Sequence, residues 1–178
     1  MSQHTQMAIL PLDPSVHDRA GFDCGVEALN RYLREQAGQD IRRHAAGCWV
    51  LAEACDPTRV LGFYTLSPES VEAAQIPELS PSQRKRLPRY ERLGAALLGR
   101  LAVSTAVHGQ GLGTQLLYDA MHRALTAEIP SVLIVADPKD EKAETFYTGH
   151  GFHPLDASRM FILMTDVAEL FRTRDSHR

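Results

Sequence analysis

Apolar positions recur at helical spacing in two long stretches of the chain. Between Gly25 and about Gln39, Val26, Leu29, Leu33 and Ala37 line one face, while Glu27, Arg31, Arg34 and Glu35 fall on the other. That spacing predicts an amphipathic helix. Asp23 just ahead of it is the expected N-cap, because its carboxylate can accept from the unpaired amides of a first turn. Leu112, Leu116, Leu117, Ala120, Met121 and Ala124 keep the same period and predict a second, longer helix. A short helix is expected from about Asp140 to Thr148. Apolar runs mark the strands. Cys48–Ala52 and Val60–Leu66, joined by a turn around Asp56-Pro57, read as a hairpin. Leu97–Val103, Val132–Val135 and Met160–Met164 read as further strands. From Ser67 to Leu93 the pattern is broken by Pro68, Pro77, Pro81 and Pro88. Only a short helix near Ser80–Leu87 is expected there, with Ser80 as N-cap and Pro81 in the first turn. This order of elements predicts a single α/β (α+β) domain spanning residues 1–178, built on a mixed sheet.

Composition narrows the class. The 178 residues are 44% hydrophobic and 23% charged, ordinary for a globular fold and unlike disordered or collagenous chains. No apolar run approaches the roughly 20 residues that span a bilayer. The start, Met1-Ser2-Gln3-His4-Thr5-Gln6, lacks the basic-then-apolar pattern of a signal peptide. Cys24, Cys48 and Cys55 form no CxxC pair and leave one thiol unmatched in any disulfide scheme, so a reduced, cytoplasmic protein is expected. No His, Cys and Asp set has zinc spacing, and no metal is expected.

The formal net charge of −3, from 19 Lys+Arg against 22 Asp+Glu, argues against a general polyanion binder. The distribution is less even than the total. Arg84, Lys85, Arg86, Arg89, Arg92 and Arg100 face the single acid Glu91 within one segment, and Arg31, Arg34, Arg42 and Arg43 form a second set. Such runs are most often solvated surface; they can also hold phosphates.

The chemistry-bearing motif lies between a strand and the long helix: His108-Gly109-Gln110-Gly111-Leu112-Gly113. The first amides of a helix have no internal partners, and the helix dipole places partial positive charge there, so a strand–glycine loop–helix unit can grip phosphate. Glycine lets a diphosphate approach the main chain without a Cβ in the way. The loop lacks the Lys-Ser/Thr pair of a Walker loop, and its glycines are not spaced as in a dinucleotide fold. A plain tight turn would account for two of the glycines more readily than for three.

Leu98-Gly-Arg-Leu-Ala-Val103, Gly109-Gln-Gly111-Leu-Gly113 and Phe146-Tyr147-x-x-x-Gly151-Phe152 together resemble the GNAT superfamily of acetyl-CoA-dependent N-acetyltransferases. That family carries Gln/Arg-x-x-Gly-x-Gly/Ala over the coenzyme A pyrophosphate; here His108 stands at the first position. The resemblance is closest to the acetyltransferase toxins of bacterial toxin–antitoxin pairs. It runs through Gly21-Phe22-Asp23-Cys24-Gly25-Val26-Glu27-Ala28-Leu29-Asn30-Arg31-Tyr32-Leu33, Gly62-Phe63-Tyr64-Thr65-Leu66-Ser67, Leu87-Pro88-x-Tyr90 and the segment Ala136–Tyr147, covering about residues 20–165. It implies a GNAT fold, with a mostly antiparallel central sheet flanked by helices, and acetyl-CoA as cosubstrate. It also implies acetylation of the α-amino group of aminoacyl-tRNA, which blocks translation, together with a ribbon-helix-helix antitoxin and a homodimer. The coenzyme-binding residues it implies are Leu101, Ala102, Val103, His108, Gly109, Gln110, Gly111, Leu112, Gly113 and Phe146. Two other outcomes stay open: a housekeeping acetyltransferase for a small amine, peptide or protein N-terminus, and a catalytically silent coenzyme-binding domain.

The resemblance places Tyr147 beneath the thioester sulfur. A phenol with a pKa near 10 is protonated at neutral pH and can supply the proton that a leaving thiolate needs; otherwise Tyr147 is a core aromatic whose hydroxyl is satisfied locally. The strand Leu97–Val103 carries no Asp or Glu to act as general base, leaving Glu53, Glu69 or Glu72 to approach from elsewhere. An α-amine with a pKa of about 8 needs less help than a lysine at about 10.4, so the absence favours an α-amino acceptor. For such an acceptor Arg31, Arg42, Arg43, Arg89 and Arg92 are the candidate tRNA-phosphate contacts, with Tyr90 able to stack between the last two.

Overall fold

The computed structural model describes residues 6–77 and 79–175. The first residues, read above for a signal peptide, and Ser176–Arg178 lie outside that range.

In chain order the elements are β1 (Met7–Pro11), α1 (Glu27–Arg31), a π-helical turn (Tyr32–Gln36), α2 (Ala37–Arg42), β2 (Gly47–Glu53), β3 (Gly62–Glu72), α3 (Pro81–Arg86) and β4 (Arg92–Val103). There follow α4 (Leu112–Leu125), β5 (Leu133–Ala136), α5 (Glu141–Thr148), β6 (His153–Pro154), β7 (Met160–Leu163) and α6 (Met164–Asp175). The strands form a seven-stranded mixed sheet in the order β1-β2-β3-β4-β5-β7-β6. β4 and β5 run parallel, with α4 as their crossover, while β1–β2, β2–β3, β5–β7 and β6–β7 are antiparallel. The mixed, mostly antiparallel sheet expected from the resemblance is therefore present.

The chain divides into two compact units, Met1–Ser67 with Arg100–Ala120, and Pro68–Gly99 with Met121–Arg178. The first has its own core, in which Phe22, Leu33, Val50, Phe63 and Ala102 pack together. Here β3 approaches the end of β4 so closely that a Cβ at Gly62 would sit 2.9 Å from the Ala102 carbonyl. The second core is built from Val71, Leu93, Leu133, Val135, Phe161 and Leu163.

Several expectations are corrected. Asp23 is not the cap of α1. Val26 occupies that position without a side-chain cap, and Asp23 Oδ1 instead accepts from the Gly25 amide at 2.8 Å and from Asn30 Nδ2 at 2.9 Å. Gly25 turns at φ +80, so the chain bends once more before the helix starts. The predicted helix from Gly25 to Gln39 is three pieces, because a π turn replaces its middle. Strand β3 passes through Pro68 to Glu72, and β4 begins at Arg92, so the segment between Ser67 and Leu93 holds more strand than its prolines suggested. Strands β1 and β6 and helix α6 lie where no element was expected. The short helix near Ser80 is as expected, with Ser80 accepting from the Gln83 amide and Gln83 reaching back to Ser80 in a capping box.

Candidate active site

The glycine loop follows β4 and a single 3-10 turn, Thr105–Val107. That turn is held by the Thr105 amide donating to the Asp23 carbonyl at 2.9 Å and the Ser104 amide donating to the Leu61 carbonyl at 2.8 Å. Gly109 and Gly111 both lie in the left-handed region, at φ +79 and +74, where any other L-residue is strained. Alternation of these two residues with ordinary conformations turns the loop back on itself and into α4. His108, Gly109, Gln110 and Gly111 are exposed, Leu112 is buried and Gly113 is half-buried. Among the described residues, the amides of Gly109, Gln110, Gly111, Leu112 and Gly113 meet no protein acceptor. Helical bonding resumes where the Gln115 amide donates to the Gly111 carbonyl at 3.2 Å. Consecutive unpaired amides at the positive end of a helix of this length form a seat for a diphosphate.

His108 is held differently from a free phosphate ligand. Its Nε2 lies 2.8 Å from the Val103 carbonyl, an acceptor only, so Nε2 carries the proton. In the neutral ring Nδ1 then presents only a lone pair, and the side chain can donate to an anion only as imidazolium. Leu101, Ala102 and Val103 form the last turnless stretch of β4; Ala102 is buried and its two neighbours are half-buried. The registered parallel pairing with β5 covers Ala95–Leu98, and β4 continues beyond it to Val103.

In the other unit, α5 is started by Asp140, whose Oδ1 accepts from the Ala143 amide at 2.8 Å. The helix carries Phe146 and Tyr147. Tyr147 is 4% exposed, with its ring against Phe146 at 5.4 Å and Phe152 at 5.2 Å. The turn that brings Phe152 back onto it passes through Gly151 at φ +90. Burial, with the Asp137 carboxylate adding to it, pushes the phenol above its ordinary pKa. Its hydroxyl has no hydrogen-bond partner among the described residues, so the locally satisfied core tyrosine is not what is found. The oxygen is not sealed in: among the described residues His17 Nε2 is the side-chain polar atom that is buried without a partner, so Tyr147 Oη keeps contact with solvent and is open to a bound group.

Of the candidate RNA contacts, Arg31, Arg42 and Arg43 belong to the first unit and Arg89 and Arg92 to the second. All five are exposed. Arg92 is engaged with Glu72 at 2.6 Å, whereas Arg31, Arg42, Arg43 and Arg89 have no ion pair among the described residues. Tyr90 is 70% exposed. The same ion pair occupies Glu72, one of the acids considered as a base.

One grouping was not anticipated in the sequence, although Arg31 was a candidate contact and Arg100 belonged to the basic segment 84–100. Arg31, Tyr32, Glu35 and Gln36, with Ala28, Leu29 and Arg100 of β4, line an open cavity of about 360 Å³. The Arg100 guanidinium lies 3.5 Å from the centroid of the Tyr32 ring. The signal was an arginine inside an otherwise apolar strand, Leu97-Leu98-Gly99-Arg100-Leu101-Ala102. Among the described residues no group of three or more His, Cys, Asp or Glu could hold a metal, and no helix is long and apolar enough to cross a membrane.

The model of the Acetyltransferase (GNAT) family matches residues 15–152. A tRNA-acetylating toxin of Mycobacterium tuberculosis is 32% identical over 157 residues, 86% of this chain and 90% of that protein. A probable toxin TacT of Sinorhizobium fredii is 28% identical over 173 residues, 91% and 93% respectively. Among solved structures, AtaT complexed with acetyl-methionyl-tRNAfMet aligns with a TM-score of 0.84 at 31% identity, covering 93% of this chain and 99% of AtaT. AtaTR bound with AcCoA aligns at 0.79 with 32% identity over 93% and 98%. A mutant AtaT toxin bound to the C-terminus of the antitoxin AtaR also aligns at 0.79, with 28% identity over the same shares. The loop, the sheet and the sequence agree: the chain belongs to the acetyltransferase (GNAT) family, whose members transfer acetyl groups.

Proposed function

We propose that this chain is one acetyl-CoA-dependent N-acetyltransferase domain that acetylates the α-amino group of aminoacyl-tRNA and so blocks translation. The observation that carries the reading is the run of unpaired amides from Gly109 to Gly113 at the head of α4, in a chain whose relatives are tRNA-acetylating toxins. These amides hold the coenzyme diphosphate, with Gln110 and His108 at the rim of the loop. The main chain of Leu101, Ala102 and Val103 receives the pantetheine arm and the thioester carbonyl, and Phe146 packs against the arm.

The neutral α-amine attacks the thioester carbonyl. The C–N bond forms, the C–S bond breaks, and Tyr147 supplies the proton to the departing sulfur. A phenol raised by burial is fully protonated across the physiological range, so the donor is present on every turnover. It is a weaker acid than a free phenol, and its proton therefore moves as the C–S bond breaks and basicity grows on sulfur. The amine loses its own proton to water, consistent with an α-amine pKa of about 8. Arg31, Arg42, Arg43, Arg89 and Arg92 contact acceptor phosphates, Arg92 by exchanging its exposed partner Glu72; such exposed pairs are worth only about 0–1 kcal/mol.

As a toxin the protein is held silent by a ribbon-helix-helix antitoxin, acts as a homodimer, and works in the cytoplasm. Induction in a bacterial host without the antitoxin is expected to arrest growth and protein synthesis, with Tyr147→Phe relieving the arrest. A housekeeping acetyltransferase would allow growth to continue in both cases.

A further inference from the structure

The cavity beside the π turn is not accounted for by the coenzyme or by proton transfer. Its defining feature is Arg100, which is half-buried within β4, three residues before the strand ends. The guanidinium rests on the Tyr32 ring, a cation–π contact that uses none of its five N–H donors. Those donors meet no acceptor among the described residues. Arg31 lines the same cavity and is likewise without an ion pair.

The ring beneath Arg100 is fixed on every side. Tyr32 is stacked on Phe63 at 6.3 Å and 15°, and its hydroxyl donates to Asp40 Oδ2 at 2.8 Å. The π turn of Tyr32–Gln36 widens the helix where Arg31, Tyr32, Glu35 and Gln36 reach the cavity, and such turns recur at functional sites. The charge is not purely positive, because Glu35 also lines the wall, although it lies 3.5 Å from Arg34. Two arginines, a carboxylate and an amide around one small cavity do not suit a bare anion. They suit a nucleotide, whose phosphate meets the arginines and whose base edge meets Glu35 and Gln36. A carboxylate accepts from the exocyclic amine of cytosine or adenine and repels bases without one. A cavity of about 360 Å³ has room for a single nucleotide and not for a duplex.

We propose that this cavity seats one single-stranded nucleotide of the acceptor RNA, its phosphodiester held between Arg31 and Arg100 and its amino-bearing base read by Glu35 and Gln36. This rests on the aminoacyl-tRNA reading above. It adds a binding site that the glycine loop and Tyr147 do not provide. Because coenzyme A also carries an adenine and phosphates, the experiment must separate the two sources.

The test uses the full chain with Arg100→Gln, Arg100→Lys and Arg31→Gln. Binding of a fluorescent single-stranded RNA ending in CCA is measured by anisotropy over a range of salt, alongside steady-state kinetics on charged tRNA. Each Gln variant is expected to weaken RNA binding about tenfold or more and to flatten its salt dependence by roughly one phosphate contact. It should also raise KM for charged tRNA while leaving KM for acetyl-CoA within about twofold. Arg100→Lys, which keeps the charge but not the planar fork, should fall between. Unchanged RNA affinity in the Gln variants, no RNA binding by the wild type, or a rise in KM for acetyl-CoA in place of tRNA would each overturn the assignment. Glu35 is exposed and has no part in the phosphate contacts proposed above, so Glu35→Ala decides the matter even if Arg100→Gln fails to fold: it should erase the preference for an oligonucleotide with amino-bearing bases over one of uracil alone, and an unchanged preference would overturn the assignment. The anisotropy arm needs no acetyl transfer. A wild type that binds the oligonucleotide through these arginines but acetylates no charged tRNA would sink the proposed function and leave the nucleotide seat standing.

Discussion

Tyr32 and Tyr147 are equally buried, each 4% exposed, and burial raises both phenols above the ordinary tyrosine pKa. Their surroundings differ in one respect. Tyr32 donates to Asp40, lies against Phe63 and carries Arg100 on its ring, so every part of it is occupied. Tyr147 has aromatic rings beside it and no acceptor for its hydroxyl among the described residues. Burial alone therefore does not separate a phenol that the fold uses up from one proposed to donate a proton; the occupancy of the hydroxyl does.

The largest effect that tests this contrast is on turnover. Tyr147→Phe should lower kcat by about 10²–10⁴-fold, the usual worth of a positioned acid. Stability should hardly change, since no protein hydrogen bond is lost. Full turnover in a rapid-quench assay would erase the difference between the two tyrosines. Next in size is the loop. Gly111→Val places a β-branched residue at φ +74 and should weaken acetyl-CoA binding by about tenfold or more, because the strained turn moves the amides out of line. Unchanged affinity by calorimetry would remove the diphosphate seat.

A smaller effect appears in the pH profile. The raised phenol pKa keeps Tyr147 protonated as pH rises, so it sets no alkaline limb below about pH 10. The acceptor amine, with a pKa of about 8, should make kcat/KM climb roughly fivefold between pH 7 and pH 8. A fall in that interval would mean that some other acid donates. Smallest is Tyr32→Phe, which deletes one partly buried hydrogen bond to Asp40. It should cost about 1 kcal/mol by urea denaturation, with a loss of turnover far below that of Tyr147→Phe. The reverse ordering of the two Phe variants would invert the comparison.

What could be read in the sequence follows from how local each requirement is. The glycine loop was legible because Gly109 and Gly111 answer a demand of their own backbone, and the cap at Ser80 because an N-cap and its amide are three residues apart. The π turn was not, since one extra residue in a helical turn leaves the spacing of Val26, Leu29 and Leu33 unchanged. Pro68 misled, because an exposed strand position tolerates a missing N–H where the ladder does not use it. Helix α6 was missed because Val167 is its one fully buried apolar residue amid a charged run. The pairing of Arg100 with Tyr32 depends on β4 and the first helix meeting in the fold, which no spacing along the chain records. Tyr147 was singled out by resemblance, but whether its hydroxyl was already used had to wait for the packing of α5.

The most direct measurement is mass spectrometry of a charged tRNA pool after incubation with the protein and isotope-labelled acetyl-CoA. An N-acetyl-aminoacyl ester carrying the label, absent with Tyr147→Phe, is the predicted result. A pool that stays unacetylated, while the same preparation consumes acetyl-CoA on a lysine side chain or a small amine, would contradict it.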